Sequence, residues 1–107
     1  MDAEKSLTEF YVKFRNHQLQ INKLSYNNGA VALELVDTED GEPYMVATVN
    51  IPGVLTEEGI YDGYTFIKNW SENEGILECL IENKIVEPTG EIYTVGFSFA
   101  HLVKILI

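Results

Sequence analysis

A chain of 107 residues has room for one domain and one core, and an apolar content of 46% is enough to fold it. Seventeen acidic residues against seven basic ones leave a net charge of −10. That balance argues against direct binding to nucleic acid or to an anionic membrane, because both demand a cationic patch. The single cysteine, Cys79, excludes a disulfide within the chain and a cysteine-based zinc site.

In chain order, Met1 to Ser6 are polar and expected to fray, and no apolar signal segment stands at the N-terminus. No apolar run approaches the ~18 residues of a membrane span, so a cytoplasmic protein is expected. Phe10, Val12 and Phe14 alternate with Tyr11, Lys13 and Arg15, which favours a strand over the helical spacing that Leu7, Phe10, Tyr11 and Phe14 also satisfy. Asn16-His17 reads as a turn, and Leu19 and Ile21 then alternate with polar residues in a second strand. Tyr26 to Gly29 is a turn rich in residues that tolerate positive φ, followed by a strand over Ala30 to Val36. Thr38 to Gly41 is a second tight turn, and Tyr44 to Ile51 a further strand, which completes an antiparallel meander.

Pro52-Gly53 opens an acidic loop with Glu57, Glu58 and Asp62, and Tyr64 to Lys68 is a short strand. Ser71 to Lys84 is the one clear amphipathic helix. Ser71 and Glu74 have capping-box spacing, Trp70 is placed for a staple contact with the helix start, and Ile76, Leu77, Leu80 and Ile81 share one face. Glu74, Glu78 and Glu82 form a ridge on the other face. Pro88-Thr89-Gly90 predicts a turn, Glu91 to Phe99 a strand with a bulge or bend at Gly96, and His101 to Ile107 either a last strand or a terminal helix.

Together these elements predict an α+β domain: a twisted antiparallel sheet of four to six strands with one main helix, about residues 72–84, packed on one face. Leu33, Leu35, Val49, Phe66, Ile76, Leu80, Ile81 and Phe97 are the expected core.

Catalytic and metal-binding patterns are missing. His17 and His101 lack the spaced partners of a metal motif and read as solvent-facing or hydrogen-bonded residues. Asp37, Glu39, Asp40 and Glu42 match a calcium loop in composition but not in spacing. No catalytic residue, metal or cofactor is expected. Charge is more informative: no Lys or Arg falls between Lys23 and Lys68, while carboxylates crowd that interval. The acidic ridge (Glu74, Glu78, Glu82) and the acidic loops (Asp37, Glu39, Asp40, Glu57, Glu58, Asp62) are the candidate protein-binding residues, set against a plain solubilising role. Tyr61, Tyr64 and Trp70 form a candidate aromatic patch.

GEPY at Gly41–Tyr44, VNIP at Val49–Pro52, FIKNWSENEGI and IVEPTG follow one another in an order that resembles a family of small uncharacterised domains carried by bacterial phages, plasmids and conjugative elements. The resemblance spans about residues 30–99. It implies a bacterial host cytoplasm and, by analogy of setting and charge, an anti-defence inhibitor of the anti-CRISPR or anti-restriction kind. Such a protein would cover the basic nucleic-acid-binding surface of a host nuclease or defence effector without contacting nucleic acid itself. A self-associating assembly module, forming a homodimer through a sheet edge or the aromatic patch, is the alternative.

Overall fold

A computed structural model of the chain describes residues 10–27, 29–51 and 63–107. Strands β1 (Phe10–Phe14), β2 (His17–Ser25), β3 (Val31–Asp37) and β4 (Pro43–Val46) form one antiparallel sheet in the order β1-β2-β3-β4. Strands β5 (Thr48–Val49), β6 (Tyr64–Lys68), β7 (Val86–Val95) and β8 (Ser98–Ile105) form a second, in the order β5-β6-β8-β7. The predicted α+β class with antiparallel pairing and one main helix holds. The strands divide between two sheets because the expected strand Tyr44–Ile51 changes sheet at Ala47. Its N–H donates to the carbonyl of Leu33 in the first sheet, and its carbonyl accepts from the N–H of Lys68 in the second, both at 2.8 Å. A side chain larger than alanine has little space there, since Ala47 is fully buried.

Alternation decides what each sheet buries. Val12, Leu19, Leu33 and Leu35 of the first sheet face Ile67, Val86 and Val103 of the second across the main core. The opposite face of the second sheet carries a smaller cluster of Phe66, Ala100 and Leu102, with Ala30 and a half-buried rim of Tyr26, Val49, Tyr64, Trp70 and Tyr93. Of the expected core, Leu33, Leu35, Phe66, Ile76 and Leu80 are fully buried, while Val49 and Ile81 are half-buried against it. Phe97 is a correction. It sits fully exposed in the two-residue turn Gly96-Phe97 that joins β7 to β8 through the pair Val95 and Ser98.

The helical stretch is split. A 3-10 turn over Ser71–Asn73 is followed by Gly75 at φ +96, and the α-helix proper, α1, runs over Ile76–Glu82. Ser71, itself at φ +62, gives no side-chain cap, so the expected capping box with Glu74 does not form. Asn69 supplies the cap instead: its Oδ1 accepts from the backbone N–H of Gly75 at 3.1 Å and of Leu77 at 2.9 Å. Gly75 is required by its backbone, since its φ is one that L residues rarely adopt, while a Cβ there would meet the Phe14 ring only at ordinary contact distance, 3.5 Å. Trp70 packs in the smaller cluster and Ile76 in the main core, so the expected staple is not made.

A helix this short is marginal on its own and depends on the face it buries. Ile76, Leu77, Cys79 and Leu80 are buried, and α1 touches β1, β6 and β7. Strands β1 and β7 are outer strands of their sheets, so α1 closes the gap between the two. The Cys79 thiol donates to the carbonyl of Lys13 on β1 at 3.5 Å, and burial followed by the nearby Glu82 charge pushes its pKa up. Buried Asn73 donates to the carbonyl of Val46 at 2.8 Å and pins the 3-10 turn to β4. Among the described residues no helix is long and apolar enough to cross a membrane.

Two substitutions test this arrangement. Leu80→Ala opens a cavity in the main core and should cost about 2–5 kcal/mol in denaturant unfolding. Asn69→Ala strips two helix-start amides of their acceptor and should cost about 1 kcal/mol. A loss near zero for Leu80→Ala would mean that α1 is not packed where described.

Candidate functional site

The acidic residues of the helical region remain outside. Glu74, Glu78 and Glu82 are all exposed. Only Glu78 and Glu82 lie on α1, however, since Gly75 breaks the helical phase after Glu74. The regular three-residue ridge is therefore shortened to one pair plus an offset neighbour. Glu39 and Asp40 are exposed in the β3–β4 turn, while Glu57, Glu58, Asp62 and Tyr61 lie outside the described residues.

Asp37 differs from the other candidates because it is buried, at 8% exposure, and committed inside the fold. Its Oδ2 lies 2.8 Å from His17 Nδ1, and its Oδ1 accepts the backbone N–H of Glu39 at 2.9 Å. The His17 ring packs 4.5 Å from that of Tyr44. This corner exists because the β1–β2 turn is Arg15-Asn16, one residue earlier than the sequence suggests, which places His17 at the start of β2. Both turn residues have positive φ, at 52° for Arg15 and 66° for Asn16. Asparagine adopts that region readily and arginine does not. Arg15 is held there by its guanidinium, which donates to the carbonyls of Glu72 at 2.9 Å and Glu74 at 2.7 Å.

A cavity of about 290 Å³ adjoins this corner, lined by Lys13, Asn16, His17, Gln18, Asp37, Thr38 and Glu39. Three of its polar side chains are already engaged, since His17 and Asp37 bond each other and the Thr38 hydroxyl donates to the Gln18 carbonyl at 3.0 Å. No buried side-chain N or O lacks a hydrogen bond among the described residues. Nor, among those residues, do three or more His, Cys, Asp or Glu side chains converge as a metal would need. The corner acts as a structural clasp.

Tyr64 and Trp70 are brought together as half-buried rim residues of the smaller cluster, with Tyr26 and Tyr93. The Phe66 and Tyr93 rings meet edge to face at 4.9 Å beneath this rim.

The three most exposed large apolar side chains of the described residues lie elsewhere, on the β7–β8 hairpin, with Tyr11, Leu24, Val46 and Leu106 exposed singly at other places. Ile92 and Phe99 are 52% and 54% exposed, and Phe97 stands fully clear at the tip. Gly96 has φ +61 as the first of the two turn residues, where a type II′ hairpin places glycine. The run Val95-Gly96-Phe97-Ser98 carried that signal in the sequence. Pro88-Thr89-Gly90, expected as a turn, lies within β7 as a bulge between Pro88 and Ile92, where the Thr89 hydroxyl donates to the Leu102 carbonyl at 2.9 Å.

Comparison with protein-family models, with curated proteins and with solved structures gave no match.

Two carboxyls titrate abnormally in this geometry. Lys68 Nζ, 2.8 Å from Glu72 Oε2, is the main cause of a Glu72 pKa lowered from 4.5 to about 2. The Glu39 amide, then His17, hold Asp37 below its ordinary 3.8. Both pKa values are depressed by folding, so the stabilisation is complete above the ordinary values and is lost as pH falls toward the folded ones. Unfolding midpoints in urea should therefore fall as pH drops from 4.5 toward 2. The double variant Asp37→Asn, Glu72→Gln should show a flatter slope over that interval. An unchanged slope would remove both groups as the source of the acid sensitivity.

Proposed function

We propose that this chain is a non-enzymatic binding module that docks on a basic protein surface. One observation carries the reading. Among the described residues, exposed Glu39, Asp40, Glu42, Glu74, Glu78, Glu82, Glu87 and Glu91 make no ion pair, although each could accept one. Three of the described cations are already engaged. Lys68 pairs with Glu72, Arg15 binds two carbonyls, and Lys23 donates to the Ile107 carbonyl at 3.0 Å. Unneutralised carboxylates at this density repel one another and favour a cationic partner.

The resemblance to domains of bacterial mobile elements supports a narrower form of the reading. The partner is then a host nuclease or other defence effector in the bacterial cytoplasm, and the module is an anti-CRISPR or anti-restriction inhibitor that covers the basic nucleic-acid-binding surface. Carboxylates at that surface stand where phosphates would otherwise lie, so the effector loses its substrate while the module itself binds no nucleic acid.

Capture from a bacterial lysate followed by mass spectrometry supplies a partner, and the Glu74→Lys, Glu78→Lys, Glu82→Lys variant tests how it is held. Each desolvated charge pair contributes about 1.5 kcal/mol or more, so affinity should fall about tenfold or more per reversed residue. The thermal melt should be retained, because these side chains face solvent. Wild-type affinity should also weaken as salt is raised from 0.1 to 1 M, where the screening length shortens from about 10 to about 3 Å. Unimpaired, salt-insensitive binding would show that the acids serve solubility alone.

A further inference from the structure

The two outer strands that flank α1 are treated differently. Strand β1 lies against α1, with its Lys13 carbonyl bonded to the Cys79 thiol. Strand β7 meets α1 near its start and then runs on to Val95 with no described strand on its outer side. The first part of that edge is blunted in two ways, since Pro88 has no N–H and the bulge between Pro88 and Ile92 disrupts the ladder. The last part is regular. Val95 and Ser98 flank a two-residue turn and so form a hydrogen-bonded pair. By alternation Tyr93 bonds inward to Ala100, while the N–H and C=O groups of Ile92 and Thr94 point out from the sheet. Beside them, Ile92 and Phe99 share one face of the hairpin, and Phe97 projects from its tip.

We propose that the outer edge of β7, over Ile92–Val95, receives an extended basic segment of the partner protein as an added strand, seated on Ile92, Phe97 and Phe99. This rests on the protein-binding reading and specifies where the partner's backbone lies. Charge selects the occupant. Glu91 stands next to the open stretch and no Lys or Arg stands on β7, whereas Glu87 lies before the bulge, opposite Lys104 of β8. A second copy would bring the same carboxylates, on a chain of net charge −10, to that edge. A segment alternating Lys or Arg with apolar residues instead sets a cation near Glu91 and its apolar side chains over Ile92 and Phe99. Main-chain bonds to Ile92 and Thr94 supply the register, as in other cases of strand addition.

The probe is an eight-residue peptide alternating Lys and Val, titrated into the whole chain and followed by NMR amide exchange. Binding should slow exchange of the Ile92 and Thr94 amides at least tenfold and leave the already paired Tyr93 and Val95 amides little changed. A Glu-Val peptide should not bind. Methylating the backbone nitrogens along one edge of the Lys-Val peptide, or the variant Thr94→Pro, should weaken binding at least tenfold, with the thermal melt checked for each variant. Phe97→Ser, at a fully exposed turn position, keeps the test open should Thr94→Pro unfold the hairpin, and it should weaken binding severalfold. Salt-sensitive binding that ignores methylation, Phe97→Ser and Thr94→Pro would overturn strand addition while leaving the acidic-surface reading intact. No binding at millimolar peptide would also overturn it, as would a dimer of the chain alone, seen by light scattering, that Phe97→Ser dissociates.

Discussion

Two four-stranded sheets that share one strand path leave a gap between their far edges, and the fold depends on filling it. Element α1 is the filler, although at seven residues it cannot sustain itself in water. It is held from three sides. The buried face of Ile76, Leu77, Cys79 and Leu80 enters the main core, Asn69 caps the N-terminus, and Arg15 reaches from the first hairpin to the carbonyls of Glu72 and Glu74. The positive φ of Arg15 is explained by this last contact. A residue that disfavours the conformation is kept in it by bonds formed at the far end of its side chain.

The parts of the fold that obey a short period were legible in the sequence. Val12, Leu19, Leu33 and Leu35 recur at strand spacing on one face of their strands, and all four are buried. Ile76, Leu77 and Leu80 gave the buried face of the helix, yet the same periodicity hid its break, because glycine fits an apolar pattern without marking its own φ. Proline and glycine misled in the opposite direction. Pro88-Thr89-Gly90 reads as a turn, but an edge strand can carry the same residues as a bulge. Phe97 reads as core because aromatic residues flanked by strand formers usually are. Its position as second residue of a tight turn reverses that.

Contacts between distant segments were not legible. His17 and Asp37 are twenty residues apart and meet only because the first turn is Arg15-Asn16 and the β2–β3 register pairs Leu19 with Asp37. A one-residue slip of β3 against β2 would have turned Asp37 outward with the other acids. The exposure of Glu74, Glu78 and Glu82 followed from chemistry alone, since glutamates seldom enter a core unpaired. The open stretch of β7 did not, because an edge is a property of strand order, and the order β5-β6-β8-β7 departs from that of the chain.

Ala47 carries a consequence for how the molecule comes apart. Its N–H belongs to one ladder and its carbonyl to the other, so no cut through the backbone hydrogen bonds separates the sheets without passing through this residue. The buried Thr48 beside it reinforces the junction, with its hydroxyl 2.8 Å from that of Tyr26 and accepting the N–H of Leu33. Two sheets joined at this junction, and sharing one core, are expected to melt as a single cooperative unit rather than as two foldons. Amides on either side of that junction should report the same opening free energy, whichever sheet they occupy.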